Sequence, residues 1–141
     1  MSNTYLAWAE RNIELNDLGL ERYRGVRADV SAFLAGEAAR GARYDLIVLD
    51  PPTFSNSKKM DGFLDIARHW PELVKACLAV LDPGGTVLFS TNARSLKLDS
   101  ALLPEAKILD ISEKTVPEDF RGHPHRTWLI SHAMTRASAH D

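Results

Sequence analysis

Asp45-Leu46-Ile47-Val48-Leu49-Asp50-Pro51-Pro52-Thr53-Phe54 sets four consecutive apolar residues between two carboxylates and follows them with a double proline. A continuous apolar run suits a parallel strand covered on both faces, whereas a half-exposed strand alternates. Pro51 and Pro52 donate no backbone N–H and hold a stiff, extended turn. Open α/β sheets bind ligands beyond the carboxyl ends of their strands. Asp50 therefore stands where chemistry is expected, and Phe54, just beyond, offers a ring face to a nucleobase. On the tetrapeptide alone, a rigid turn capped by Asp50 is an equal reading.

Towards the N-terminus, Asn3 has N-cap chemistry, and Thr4 to Leu18 reads as a helix ended by Gly19. Residues 24–30 read as a short strand ending in Asp29-Val30, and Ser31 as the cap of a helix over 32–39 that stops before Gly41. Towards the C-terminus, a loop runs from Pro51 to about Asp61. Ile66, Trp70, Leu73, Val74, Cys77, Leu78 and Leu81 then form the single apolar stripe of an amphipathic helix. Pro71 inside that stripe predicts a kink or a restart. Asp82-Pro83-Gly84-Gly85 ends the helix and turns into a strand from Thr86 to Ser90. A short helix at 98–103 and strands at 107–115 and 126–133 follow. Strand and helix alternate until these last two strands, which have only a loop between them. That order predicts an α/β sandwich closed by an antiparallel hairpin.

Charge is nearly balanced, with 17 basic and 19 acidic residues for a formal net of -2. Neutralising phosphates supplies much of the affinity of RNA-binding domains, so they usually carry a strong positive excess. Here a local patch or another domain must grip any RNA. The single cysteine, Cys77, excludes an internal disulfide and a multi-cysteine zinc site. His123 and His125 flank Pro124 without a carboxylate or cysteine at ligand spacing, so a surface or RNA-facing loop is expected there and no metal. No apolar run approaches the roughly 20 residues that span a bilayer, and the N-terminus lacks a secretory pattern. A cytoplasmic location is expected.

Four stretches carry a family resemblance: WAERNIELN (8–16), YDLIVLDPPTFSNSK (44–58), LDPGGTVLFSTNARSLKLD (81–99), and KTVPEDF with HRTWLI (114–130). The second strongly resembles the fourth motif of the Rossmann-like RNA methyltransferases. Together the four resemble the C-terminal half of the fused bacterial large-subunit rRNA guanine methyltransferases, over residues 4–133. In that family the N-terminal half makes N2-methylguanine and the C-terminal half N7-methylguanine in 23S rRNA. The resemblance implies a class I methyltransferase domain over 1–133, S-adenosylmethionine as cofactor and 23S rRNA as partner; the polar residues 134–141 read as a flexible tail. By it, Asp29 matches the carboxylate that accepts from the adenine amino group, with Val30 packing near the ring. Asp50, Pro51 and Pro52 match the motif between methyl donor and target base, with Phe54 beside them. His125 matches a family position and joins Asn92 and Arg94 as a candidate substrate contact. Asn92, Arg94 and Lys97 follow a strand end and suit a phosphate, although a solvated loop explains them equally well.

Ahead of this region the family places a strand, a glycine-rich turn that cradles the methionine part of the cofactor, and a second strand ending in an acid for the ribose. None of these lies in the 141 residues. An incomplete sheet and weak cofactor binding by these residues alone are therefore expected. The family's strand order, 3-2-1-4-5-7-6, leaves the 46–49 strand with an open edge. Either the 24–30 strand covers it or a second copy pairs there as a homodimer.

Two rival functions are weighed. A cytosine-C5 methyltransferase needs a cysteine nucleophile in a strand-end loop, yet Leu88-Phe89-Ser90-Thr91-Asn92 has none and Cys77 sits on the helix stripe. A non-catalytic binding or dimerisation module is favoured by the missing glycine-rich turn and disfavoured by the intact Asp50-Pro51-Pro52.

Overall fold

A computed structural model describes residues 3–57, 62–122 and 124–133, so His123 and the expected tail at 134–141 lie outside the described residues. Contacts divide the chain into two compact units, 1–33 and 34–141.

In the first unit, helix α1 spans Asn3–Leu15. Asn3 is its first residue rather than a cap, and its side-chain oxygen accepts from Arg27 at 3.1 Å. The helix stops before Gly19. Asp17 adopts a left-handed φ of 51°, Leu18 N–H bonds to Ile13 C=O, and Asp17 N–H bonds to Glu14 C=O. That is the paired hydrogen-bond pattern of a Schellman stop, with an aspartate in the position glycine usually fills.

The strand expected at 24–30 is absent. Asp29 instead caps helix α2, Val30–Ala39, its Oδ1 accepting from Ala32 N–H at 3.1 Å. Ser31, read as the cap, is the second helical residue. Val26, Ala28 and Val30 alternate like a strand, but no described strand pairs with them. Without a ladder, the aspartate's local bond to the backbone wins.

In the second unit, α2 buries Leu34 and Glu37. The Glu37 carboxylate accepts from the Arg40 guanidinium and from the Tyr44 hydroxyl, tying α2 to the next strand. The hydrogen bond to Glu37 raises the phenol pKa of Tyr44, with burial adding to it. Strand β1, Tyr44–Leu49, leads into a two-stranded antiparallel ribbon of β2, Phe54–Ser57, and β3, Gly62–Asp65. This ribbon replaces most of the expected loop. Helix α3, Ile66–Val80, runs through Pro71 and buries Ile66, Trp70, Leu73, Val74, Cys77 and Leu78, the stripe read from the sequence. Burying each such large side chain stabilises by about 1.5–3 kcal/mol.

Strand β4 runs Leu81–Thr91 and starts earlier than expected, because Asp82 to Gly85 form an irregularity within it. The register jumps from Tyr44↔Leu81 to Leu46↔Thr86. Gly85 makes the jump fit: a Cβ there would lie 2.9 Å from Asp45 C=O and 2.8 Å from Leu81 Cδ1. Strands β5, Ala106–Asp110, and β6, Arg126–His132, complete the sheet. The helix expected at 98–103 is one turn of 3-10 helix, Ser100–Leu102.

The sheet order is β1-β4-β6-β5. β1 and β4 are parallel, while β6 is antiparallel to both β4 and β5. This matches the last four strands of the order implied by the resemblance, including the closing hairpin. Val87, Phe89, Trp128 and Ile130 are buried, and the Phe89 and Trp128 rings stack 5.4 Å apart. The other face is open: Leu46 is 62% and Val48 63% exposed. Cover on both faces of β1 is therefore not found among the described residues, and β1 pairs on one side only. The residues expected to slide in beside it, 24–30, form no strand.

Candidate active site

β1, β4 and β5 end at one edge of the sheet, where antiparallel β6 begins. Four chain segments thus meet at a common carboxyl edge, and they differ in how their polar groups are held.

At the end of β1, Asp50 is exposed and no described residue hydrogen-bonds its carboxylate. The backbone on either side is fixed instead. Leu49 is buried beside Phe89 of β4. Two prolines follow, and Thr53 C=O then accepts from Ile66 N–H at the start of α3, at 3.3 Å. Phe54 pairs with Asp65 across the ribbon; its side chain lies outside what is described. Asp65 caps α3 by accepting from Ala67 N–H at 3.0 Å, and its own N–H donates to His69 Nδ1 at 3.1 Å. Asp50 is a charged group on a tethered backbone, free to meet a ligand.

At the end of β4, Thr91 is fully buried and its Oγ1 accepts from Ala93 N–H at 3.1 Å. Leu96 anchors the following loop in the core. Asn92, Arg94 and Lys97 are exposed along it. Asn92 and Asp50 leave neighbouring parallel strands at the same edge, so the structure brings these two candidates to one side.

The corner between β5 and β6 is tied together by side-chain hydrogen bonds. Strand β5 ends at Asp110, short of the expected 107–115, because Asp110 accepts from the N–H and hydroxyl of Ser112 and starts a 3-10 turn, Ser112–Thr115. Ser112 Oγ also accepts from Thr127 N–H at 3.0 Å. Burial pushes the Asp110 carboxyl up, but the Ser112 hydrogen bonds and the Arg126 cation outweigh it and hold the pKa below its ordinary value. Arg126 pairs with Asp110 and lies over the Trp128 ring, 5.4 Å from its centroid. Thr115 Oγ1 lies 2.9 Å from Ser112 C=O, to which it donates, and 2.9 Å from His125 Nε2, with which it shares a hydrogen bond. His125 is therefore tied into this corner through Nε2.

Asp29 and Val30 belong to the first unit, Asp50 to the second. The sequence reading missed Asp110 and Arg126. The hairpin expectation held their signal, since the end of one strand must face the start of the next. Extending β5 to 115 concealed Asp110 as a strand end.

The chain is 48% identical over 133 residues to ribosomal RNA large subunit methyltransferase K of Neisseria meningitidis, covering 94% of this chain and 38% of that protein. It is likewise 48% identical over 134 residues to ribosomal RNA large subunit methyltransferase K/L of Saccharophagus degradans, covering 94% of this chain and 17% of that protein. This chain is homologous to part of the large-subunit rRNA methyltransferases K and K/L. It spans well under half the length of these relatives. The solved structure of SMU.776, described as a methyltransferase and complexed with SAH, superposes with a TM-score of 0.74 at 18% identity. That match covers 92% of this chain and 37% of the other. The fold is the Rossmann-like one of class I methyltransferases. No protein-family model matches the chain. No helix among the described residues is long and apolar enough to cross a membrane.

Proposed function

We propose that this chain contributes the carboxyl-edge wall of a site that moves a methyl group from S-adenosylmethionine to N7 of a guanine in 23S rRNA, in the cytoplasm. One methyltransferase domain over 1–133 is part of that reading. The observation that carries it is Asp50, an exposed carboxylate without a described partner, fixed by Pro51 and Pro52 at the end of a parallel strand.

The cofactor supplies an electrophilic methyl on a sulfonium. The residues at hand suit it on the adenine side. Asp29 has Oδ1 engaged by Ala32 N–H, which leaves Oδ2 to accept from an exocyclic amino group. Val30, 43% exposed beside it, offers an apolar contact. On the substrate side, guanine N7 carries a lone pair and needs no deprotonation. Asp50 then orients by accepting from the base's N–H groups rather than acting as a strong base. Pro51 and Pro52 line the approach without presenting competing donors. Phe54, Asn92, Arg94 and His125 complete the proposed site.

Transfer of labelled methyl from S-adenosylmethionine into 23S rRNA, by the protein as the cell makes it, tests this reading. Incorporation that survives Cys77→Ser is expected and excludes the cytosine-C5 route; no incorporation contradicts the proposal.

The bare edge of β1 favours one further reading, pairing with a second copy of the chain. Light scattering should then show a concentration-dependent dimer; a strict monomer at all concentrations contradicts it.

A further inference from the structure

A cavity of about 340 Å3 opens between β5, β6 and the loop after β4, and its lining joins Leu98, Ile108 and Trp128 to Lys97, Arg126 and Asp110. It lies two to three strand positions from Asp50 along the carboxyl edge, about 10–14 Å at the usual spacing. Ligands bind along such an edge in open α/β sheets.

Three observations fix what it can take. Lys97 and Arg126 set two cations against one carboxylate, so the cavity favours an anion. A second cavity of about 310 Å3 shares Asp110 and Arg126 with it but adds Lys114 and Glu113 and is balanced. Arg126 is held in place: one terminal nitrogen is on Asp110, and the guanidinium carbon is 5.4 Å from the Trp128 ring centroid. Its Nε is buried and makes no hydrogen bond with any described residue. Contact with a ligand therefore falls to the guanidinium hydrogens still accessible on a side chain that is 26% exposed, for which a phosphate oxygen is a strong acceptor.

We infer that Lys97 and Arg126 form a phosphate subsite that grips the RNA backbone at a nucleotide flanking the one presented to Asp50. This rests on the rRNA reading above. It also answers how a chain with a formal net charge of -2 contacts RNA: through one pre-built cation pair instead of a broad basic face. Phosphate contacts of this kind set register and carry no sequence information.

The test is fluorescence anisotropy of a labelled single-stranded RNA oligonucleotide with the full chain, across a salt series, comparing wild type with Lys97→Gln, Arg126→Lys and Lys75→Gln. Lys75 is exposed on α3, away from the edge. Lys97→Gln should weaken binding several-fold for all RNA sequences and lower the log–log salt slope by about 0.7, one single-strand phosphate contact. Arg126→Lys should weaken it too despite keeping its charge, because lysine neither stacks on Trp128 nor forks. Thermal melting identifies any unfolding of that variant, and Lys97→Gln then decides alone. Lys75→Gln should match wild type.

If Lys97→Gln matches wild type in affinity and slope, the subsite is overturned while the methyl-transfer reading stands. A wild type that binds no RNA overturns the subsite as well, and methyl incorporation into rRNA then judges the wider reading. Inorganic phosphate alone distinguishes the source of the anion. If it displaces the RNA at micromolar concentration, the cavity takes a free small anion and the RNA assignment is wrong.

Discussion

The two ends of the carboxyl edge are built on opposite principles. At β1, Asp50 has no described partner for its carboxylate, and rigidity comes from the backbone: the buried Leu49 before it and two prolines after it. At the β5–β6 corner, Asp110, Ser112, Thr115, His125, Arg126 and Thr127 hold one another by side-chain bonds. An unsatisfied group on a stiff backbone is suited to orienting a reacting base, because its bonding capacity is still available. A side-chain network is suited to stability and to holding a guanidinium in one place. Mutations at the two ends should therefore fail in different ways.

The largest expected effect is at the first end. Asp50→Ala should lower methyl transfer roughly 100-fold or more, the usual penalty for losing a positioning contact at a reacting centre. Its denaturation midpoint should stay at the wild-type value. A folded variant with wild-type turnover would remove Asp50 from the chemistry and collapse the contrast.

Ser112→Ala should do the reverse. It strips a donor from Asp110 and an acceptor from the buried Thr127 N–H. The cost should be about 1–3 kcal/mol of stability by urea titration, with turnover of the remaining folded protein close to wild type. Unchanged stability would show that the corner is not the structural lock described here.

The acid dependence follows from Asp110. Its folded pKa lies below its ordinary value of 3.8. Its contribution is therefore complete above that value and disappears as pH falls towards the lower folded pKa. Asp110→Asn should be less stable than wild type at neutral pH, and the two should converge as pH drops below about 4. A stability gap that stays constant down to pH 3 would contradict this assignment.

The smallest effect concerns Cys77, buried on α3, whose thiol burial pushes up to about 11. At pH 8 it should resist iodoacetamide in the native protein and react only on unfolding.

How far the sequence announced these features depends on the kind of signal each one carries. The helix stripe from Ile66 was legible because burial imposes a period on the chain, and the closing hairpin because only a loop separates its two strands. The apolar run Leu46–Leu49 announced strand β1 but not its surroundings, since Leu46 and Val48 are exposed. Asp50 stood out as a candidate because a double proline after an apolar run is a local pattern. The 24–30 segment misled because its alternation of small apolar residues has no ladder to join, and an Asx cap needs only its own neighbours. Gly85 illustrates a third kind. Its reason lies in the Asp45 carbonyl 2.9 Å from where a Cβ would sit, a contact between strands that no local pattern reveals. Arg126 is similar. Its partners, Asp110 and Trp128, come together only once β5 and β6 are paired in register.

The most direct test of the central claim is where the methyl group lands. Large-subunit rRNA lacking its native methyl groups is incubated with S-adenosylmethionine and the protein as the cell makes it, then treated with borohydride and aniline, which cleave at N7-methylguanine. A new cleavage at a single guanine is expected with wild type and should be absent with Asp50→Ala. Methyl incorporation without cleavage, or cleavage undiminished in Asp50→Ala, would contradict the account.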